Sequence, residues 1–315
     1  MLARVLAVVL LLAGSSGSAA SAQTSAPPLV GTWDLVKLEQ GASAQSLAEI
    51  QFPIGILIQD AKGNVIEIVT TKGRSIARTS DEQIAQFLGF MSFWGSFTAD
   101  AGKSSATYRI KGDVDPGRSG TDVVRSYARK GNELTLTEPA SAGRPMTRTT
   151  WRKIAELEGL PAYQDPAIGF WKWETAGMVA LNGVMVVPTP KRDESAIVYT
   201  PTGHMAVLYL PPAGRKKFAG ARPTAEEARA AMQGLVTYFG TYIVQPKSSS
   251  VTHYQLAIPS PAAVGSSLER NFSVTKGTEL RLTFPPQDLK GQQVQNTIQL
   301  SRLGGLADMS PGFRR

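Results

Sequence analysis

Gly31-Thr32-Trp33 opens one alternating apolar stretch, and Gly169-Phe170-Trp171 opens a second near the middle of the chain. The segments downstream of the two tripeptides also match. Thr79-Ser80-Asp81-Glu82 returns as Thr224-Ala225-Glu226-Glu227, and Phe93-Trp94-Gly95-Ser96-Phe97 returns as Tyr238-Phe239-Gly240-Thr241-Tyr242. Arg125-Ser126-Tyr127 returns as Arg270-Asn271-Phe272, and Lys130-Gly131-Asn132-Glu133-Leu134 returns as Lys276-Gly277-Thr278-Glu279-Leu280. The order is kept throughout, so one domain is used twice, and function must be read from that domain and from the differences between its copies.

Both copies are dominated by short apolar alternations separated by turn residues, the pattern of half-buried strands. In the first, strands are expected at 32–38, 54–59, 65–70, 95–99, 106–111, 123–129, 133–137 and 147–153. In the second they are expected at 170–176, 196–199, 205–209, 241–245, 252–258, 268–274, 279–284 and 297–303. Gly63, Gly131, Gly203 and Gly277 supply the hairpin turns. Each copy also carries one helix that opens on a capping box, Thr79 with Glu82 and Thr224 with Glu227. Ile84, Phe87, Leu88 and Met91 form an apolar stripe in one, and Met232, Leu235, Val236 and Phe239 form one in the other, as for lids across the ends of sheets. Eight sequential short strands suit an up-and-down barrel. The expected class is therefore mainly β: two antiparallel β-barrels in tandem, spanning 29–154 and 167–303. Residues 155–166 link them, and 304–315 form a flexible tail.

Residues 1–22 read as a secretory signal, with Arg4 as the positive region, Val5 to Ala13 as the apolar core and Ala20-Ser21-Ala22 at the cleavage site. The apolar run breaks at Gly14-Ser15-Ser16-Gly17, short of the ~20 residues a bilayer span needs. The expected destination is periplasmic or secreted, with no integral membrane segment after cleavage. The chain has no cysteine, which removes disulfides, thiolate nucleophiles and lipid-modified cysteine. His204 and His253 are the only histidines, so a zinc site built from Cys and His is excluded, and no cofactor is expected. The net charge of +8, which becomes +7 once Arg4 is removed, is spread along the sequence. Lys191-Arg192 and Arg215-Lys216-Lys217 have no interleaved aromatics, so they read as solvated loops rather than a nucleic-acid surface.

The Gly-x-Trp tripeptides resemble those that open the first strand of lipocalins and related barrels. That resemblance implies a Trp closing the barrel floor beneath an Arg of the last strand, here Arg152 and Arg302. The second copy resembles the bacterial and fungal lipocalin-like domain family over about 167–285. The resemblance rests on Pro201-Thr202-Gly203-His204-Met205, Thr224-Ala225-Glu226-Glu227, Tyr238-Phe239-Gly240-Thr241-Tyr242, Val251-Thr252-His253 and Arg270-Asn271-Phe272. The first copy is more divergent, with Thr107 set against His253. The resemblance implies a ligand-holding calyx. Doubled lipocalin-like chains also include cofactor-free hydratases and cyclases, such as those similar to carotenoid hydratase, and no motif assigns this chain to them.

Strand alternation nominates the site residues. Arg125 shares a face with Val123 and Tyr127, and Arg270 shares one with Leu268, Phe272 and Val274, so each copy places an Arg on an apolar, inward side. A buried guanidinium must be paired, either with a carboxylate of a neighbouring strand or with a ligand's anionic head group. Tyr108 and Tyr254 are expected at matching inward positions, as partners in a carboxylate cradle or as core residues. By the same alternation His253 faces away from Tyr254, at the surface or between domains, and His204 is an exposed hairpin residue.

Three readings stay open at the level of sequence. The first is a binding protein for a small hydrophobic or amphipathic molecule, anionic if the arginines meet its head group, with Arg125, Arg270, Tyr108 and Tyr254 as ligand-binding residues. The second is a cofactor-independent hydratase, isomerase or cyclase using His253 and Tyr254 in the second barrel. The third is a scaffold with packed barrels, since eight strands enclose only enough room for side chains or one small ligand.

Overall fold

A computed structural model describes residues 29–141, 143–159, 164, 166–212 and 214–311. The signal expected over 1–22 lies outside them, as do parts of the linker and of the C-terminal segment. The first half contains β1 (Gly31–Gly41), β2 (Ala48–Glu49), β3 (Pro53–Gln59), β4 (Asn64–Thr71), β5 (Met91–Asp100), β6 (Ser105–Asp113), β7 (Asp122–Lys130), β8 (Glu133–Glu138) and β9 (Met146–Lys153). The second contains β10 (Gly169–Ala180), β11 (Met185–Pro188), β12 (Ala196–Tyr199), β13 (His204–Tyr209), β14 (Val236–Gln245), β15 (Ser250–Ala257), β16 (Ser267–Thr275), β17 (Glu279–Thr283), β18 (Gln287–Leu289) and β19 (Gln292–Gly304). Every expected strand is present. Neighbouring strands pair antiparallel in sequence order, β1 closes on β9, and β10 closes on β19. Each half is thus a closed eight-stranded barrel, with β2, β11 and β18 as edge additions.

The Gly-x-Trp tripeptides sit where the barrels close. Gly169 has φ +138°, and a Cβ there would lie 2.0 Å from the carbonyl oxygen of Gly304 on the last strand, so only glycine lets the first and last strands meet. Trp33 and Trp171 are fully buried, and each indole Nε1 donates to the carbonyl four residues earlier, Leu29 at 3.1 Å and Ala167 at 2.7 Å. Arg302 stacks over Trp171 at 4.1 Å, as expected. The expected Arg152 does not cover Trp33. The register sets Lys153 opposite Trp33, so Lys153 and Arg129 lie over that ring.

Helices α1 (Ser80–Leu88) and α2 (Ala225–Met232) open on the expected capping boxes. Thr79 and Thr224 accept from the backbone of Glu82 and Glu227, whose carboxylates reach back to the cap amides. Both expected stripes run past the ends of the helices. Met91 already belongs to β5. In the second copy Gln233 is extended and Gly234 has φ +72°, so the helix stops and Val236 and Phe239 join β14; Ala228 and Ala231 form its buried face instead. The segment after Gly304, expected to be loose, forms the short helix α3 (Leu306–Met309), with Met309 buried.

Three apolar cores result. One lies inside each barrel, and the third lies between them. The outward faces of β3 and β4, through Ile56, Ile58, Ile66 and Ile68, pack with Trp94 against Phe170, Val198, Ala206 and Leu208 of the second half. Polar contacts border this third core. Trp94 Nε1 donates to the Glu194 carbonyl at 2.7 Å, and Arg215 donates to the carbonyls of Asp113 and Val114. The helices α1 and α2 pack on one another beside it. Strands β3, β4, β12 and β13 are therefore buried on both faces. Among the described residues, no helix is long and apolar enough to cross a membrane.

Candidate functional site

Arg125 and Arg270 occupy the same position of the two barrels, and both are 6% exposed. Alternation puts both inward, as expected, but their surroundings differ. In barrel 1, Arg125 Nη1 lies 2.6 Å from Glu67 and Nη2 lies 2.8 Å from Glu138, with the guanidinium stacked 5.1 Å from the rings of Phe93 and Tyr108. Burial alone would raise the Glu138 carboxyl, but Arg125 and Arg118 outweigh it and hold it below the ordinary carboxylate range. Arg118 also meets Asp113, whose carboxyl burial pushes up to about 6 against the pull of the nearby arginines. Of the two pairings open for a buried Arg, barrel 1 uses the internal carboxylates.

Above this network the barrel mouth opens into a cavity of about 410 Å³. Its charged floor holds four carboxylates (Glu67, Asp113, Asp115, Glu138) and three guanidiniums (Arg118, Arg125, Arg144), and Arg222 of the second half adds a fourth from the wall. Its upper wall is apolar, with Phe87 and Leu88 of α1, Phe90 and Met91, and Phe218 from the second half. Helix α1, expected as a lid, lends Phe87 and Leu88 to this wall, and the segment 218–223 of the other half completes it.

In barrel 2 the Arg faces a histidine. His253 is fully buried inside the barrel. Its Nδ1 lies 3.2 Å from Arg270 Nη1 and 2.8 Å from Tyr238 Oη, and its Nε2 lies 2.8 Å from Tyr199 Oη. A guanidinium only donates, so Nδ1 accepts, the ring proton is on Nε2, and Tyr199 Oη receives it. Burial first, then the Arg270 charge, drive the His253 pKa far below its ordinary value, so the imidazole is neutral. Among the described residues Arg270 makes no ion pair; the ring of Phe284 lies 4.7 Å beneath it.

This reverses the expected placement of two residues. Tyr254 points outward and is 41% exposed, whereas His253 points in. The ladders show why. Tyr108 pairs with Phe97 and Val123, and His253 pairs with Tyr242 and Leu268, so His253 is the counterpart of Tyr108, and Thr252 that of Thr107. Setting Tyr254 against Tyr108 slips the strand by one residue, which exchanges inside for outside. Tyr108 is inward as expected, with its hydroxyl 3.3 Å from Gln59 Nε2. His253 and Tyr254 are therefore not brought together, and Tyr199 and Tyr238 take the place expected of Tyr254. His204 is half-buried, with Thr202 Oγ1 3.0 Å from its Nδ1.

Two closed barrels with matching Trp floors and inward arginines invite comparison with calyx proteins. Residues 168–302 match the family model of the Lipocalin-like domain. The match covers the lipocalin-like second barrel and leaves the first outside it, in line with the greater divergence of the first copy. Among solved structures, a protein of unknown function from the DUF3598 family of Nostoc punctiforme is similar. It shares 12% identity over 87% of this chain and 96% of its own, with a TM-score of 0.21. No curated protein matches the chain. The lipocalin-like barrel fold supports a ligand-binding calyx in general.

Proposed function

We propose that the protein is an exported binding protein that takes a small amphipathic molecule into the calyx of barrel 1. The observation that carries this reading is the 410 Å³ cavity with an apolar upper wall and a charged floor. Small-molecule sites span about 300–1,000 Å³ and combine apolar lining with a few fixed polar groups. The balance of charges on the floor, with Arg125 already neutralised by Glu67 and Glu138, favours a neutral or zwitterionic head group there. Export is supported by the order Arg4, Val5 to Ala13, Ala20-Ser21-Ala22.

Gln40 offers a test because it is a half-buried, uncharged lining residue whose amide meets Met91 and Thr147 rather than the charged groups. Gln40→Trp fills part of the mouth. Nile red, a neutral apolar dye, is expected to bind the intact chain at about one per molecule, and Gln40→Trp is expected to weaken that binding by roughly tenfold or more, consistent with the ~1.4 kcal/mol that a tenfold loss represents. Fluorescence titration reads both. Equal binding by the two proteins, or none by the intact chain, rejects the calyx in barrel 1.

A further inference from the structure

The repeat supplies its own control, because barrel 1 shows what the fold does when the inward Arg is satisfied from within. Position by position, barrel 2 removes those partners. Glu67 pairs with Phe93 and Val207 pairs with Tyr238, at equivalent places in the two ladders, so Val207 stands where Glu67 stands. Glu138 follows Thr137 as Phe284 follows Thr283, and Thr137 and Thr283 pair with the equivalent Ser126 and Asn271. Both carboxylates have thus become apolar side chains, while the Arg is kept at the same burial.

Over the same wall, hydrogen-bond donors have been added. Tyr238 replaces Phe93, Tyr209 replaces Val69 and Trp173 replaces Leu35, while the Tyr199 hydroxyl stands in for the Gln59 amide, itself a donor. Among the described residues, Trp173 Nε1 and Tyr209 Oη have no hydrogen-bond partner, although both are buried. Tyr199, having accepted the His253 proton, has no described acceptor for its own hydrogen. The charge of Arg270 is felt at Tyr199, Tyr209 and Tyr238, so these groups share one electrostatic neighbourhood. Buried donors without acceptors are costly, as is a buried cation without a counter-charge, and one acceptor-only anion relieves both.

We infer that barrel 2 holds a second site, distinct from the barrel 1 calyx, for an apolar monocarboxylate whose carboxylate group sits on Arg270 and takes hydrogen bonds from Tyr199, Tyr209 and Trp173. Arg270, beside a neutral His253, is the buried positive charge of this group, while the half-buried Arg192, 5.8 Å from the Trp173 ring, has its Nη1 on the carbonyls of Leu210 and Gly234, so the site suits a monoanion rather than a phosphate dianion. The surrounding wall of Phe272, Leu280, Leu282 and Phe284 suits an apolar tail. Leu268, Phe272 and Val274, the inward neighbours of Arg270 along β16, are only half-buried, so this inner face meets solvent.

The test is calorimetric titration of the full chain carrying Gln40→Trp, which weakens the first calyx, with the barrel 2 substitutions assigning the binding that is left. The probes are octanoate, 3-phenylpropanoate and benzoate, their primary amides, and inorganic phosphate. At least one carboxylate is expected to bind about tenfold or more tightly than its amide. Arg270→Met is expected to cost that carboxylate roughly 10- to 100-fold, and Tyr209→Phe about 2- to 10-fold, the factors expected for charged and neutral hydrogen bonds. Tyr209→Phe and Trp173→Phe remove groups that have no partner in the ligand-free protein, so they carry the test should Arg270→Met fail to fold. No binding by any carboxylate, amides binding equally, phosphate displacing the carboxylate at equal concentration, or binding indifferent to these substitutions would overturn the site. Nile red binding to the Gln40 wild-type chain is read separately, so failure here leaves the barrel 1 reading standing.

Discussion

Arg125→Met is expected to destabilise the protein by about 3–5 kcal/mol, the usual consequence of breaking a buried ion pair by removing one partner. The cost arises because Glu67 and Glu138 remain behind, buried and without their shared cation. Against a typical total stability of ~5–15 kcal/mol, that loss removes a large part of the margin that keeps the chain folded near neutral pH. Arg270→Met is the internal control. It occupies the same position at the same burial, strands no carboxylate, and is expected to change stability by about 1 kcal/mol or less in ligand-free protein. The two variants also differ in pH dependence. The net depression of the Glu138 pKa contributes stability that is present above the unfolded value and lost as pH falls through the folded one. Arg125→Met forfeits that contribution, so its deficit should be greatest at neutral pH and shrink on acidification, when its stranded carboxyls can protonate. Urea denaturation at several pH values measures both effects. Similar losses for Arg125→Met and Arg270→Met would show that the carboxylates do not decide what this Arg does.

The barrels were legible in the sequence because turn glycines, capping boxes and the Gly-x-Trp tripeptides act locally, and the repeat let each copy check the other. The inward parity of Arg125 and Arg270 was legible for the same reason, since Val123 and Tyr127, or Leu268 and Phe272, flank them on one face. The parity of His253 was not. Matching Tyr108 to Tyr254 paired identical residues, whereas matching the threonines of Ala106-Thr107-Tyr108 and Val251-Thr252-His253 gives the true register. A buried histidine in an apolar strand offers no local cue of its own, and its partners Tyr199 and Tyr238 come from distant strands. The loss of the carboxylates from barrel 2 was visible in principle, because Val207 and Phe284 stand in plain sight, but only strand pairing identifies them as the counterparts of Glu67 and Glu138. The third core had a signal that alternation arguments pass over. Ile54-Gly55-Ile56-Leu57-Ile58 and Met205-Ala206-Val207-Leu208-Tyr209 are continuous apolar runs, which strands show when both faces are covered.

That third core makes the two barrels one folding unit, and Trp94→Ala is expected to show it. Trp94 is 1% exposed in the core between the barrels, and its indole nitrogen is satisfied by Glu194 of the other half. Truncating a buried Trp or Phe to Ala costs about 3–5 kcal/mol through lost burial and the cavity left behind. Here the loss falls on neither barrel interior but on the surface they share, while the Glu194 carbonyl loses its donor. If each barrel were stable alone, such a substitution would separate the halves and leave two unfolding transitions close to the originals. The isolated halves would, however, expose Ile56, Ile58, Ile66 and Ile68 on one side and Phe170, Val198, Ala206 and Leu208 on the other, a continuous apolar face of a kind that single soluble domains rarely show. The expected result is therefore a single transition in the intact chain and a single transition, lowered as a whole, in Trp94→Ala. Intrinsic fluorescence and calorimetry should agree on its midpoint. Two resolved transitions in the intact chain would show that the barrels are joined without being coupled.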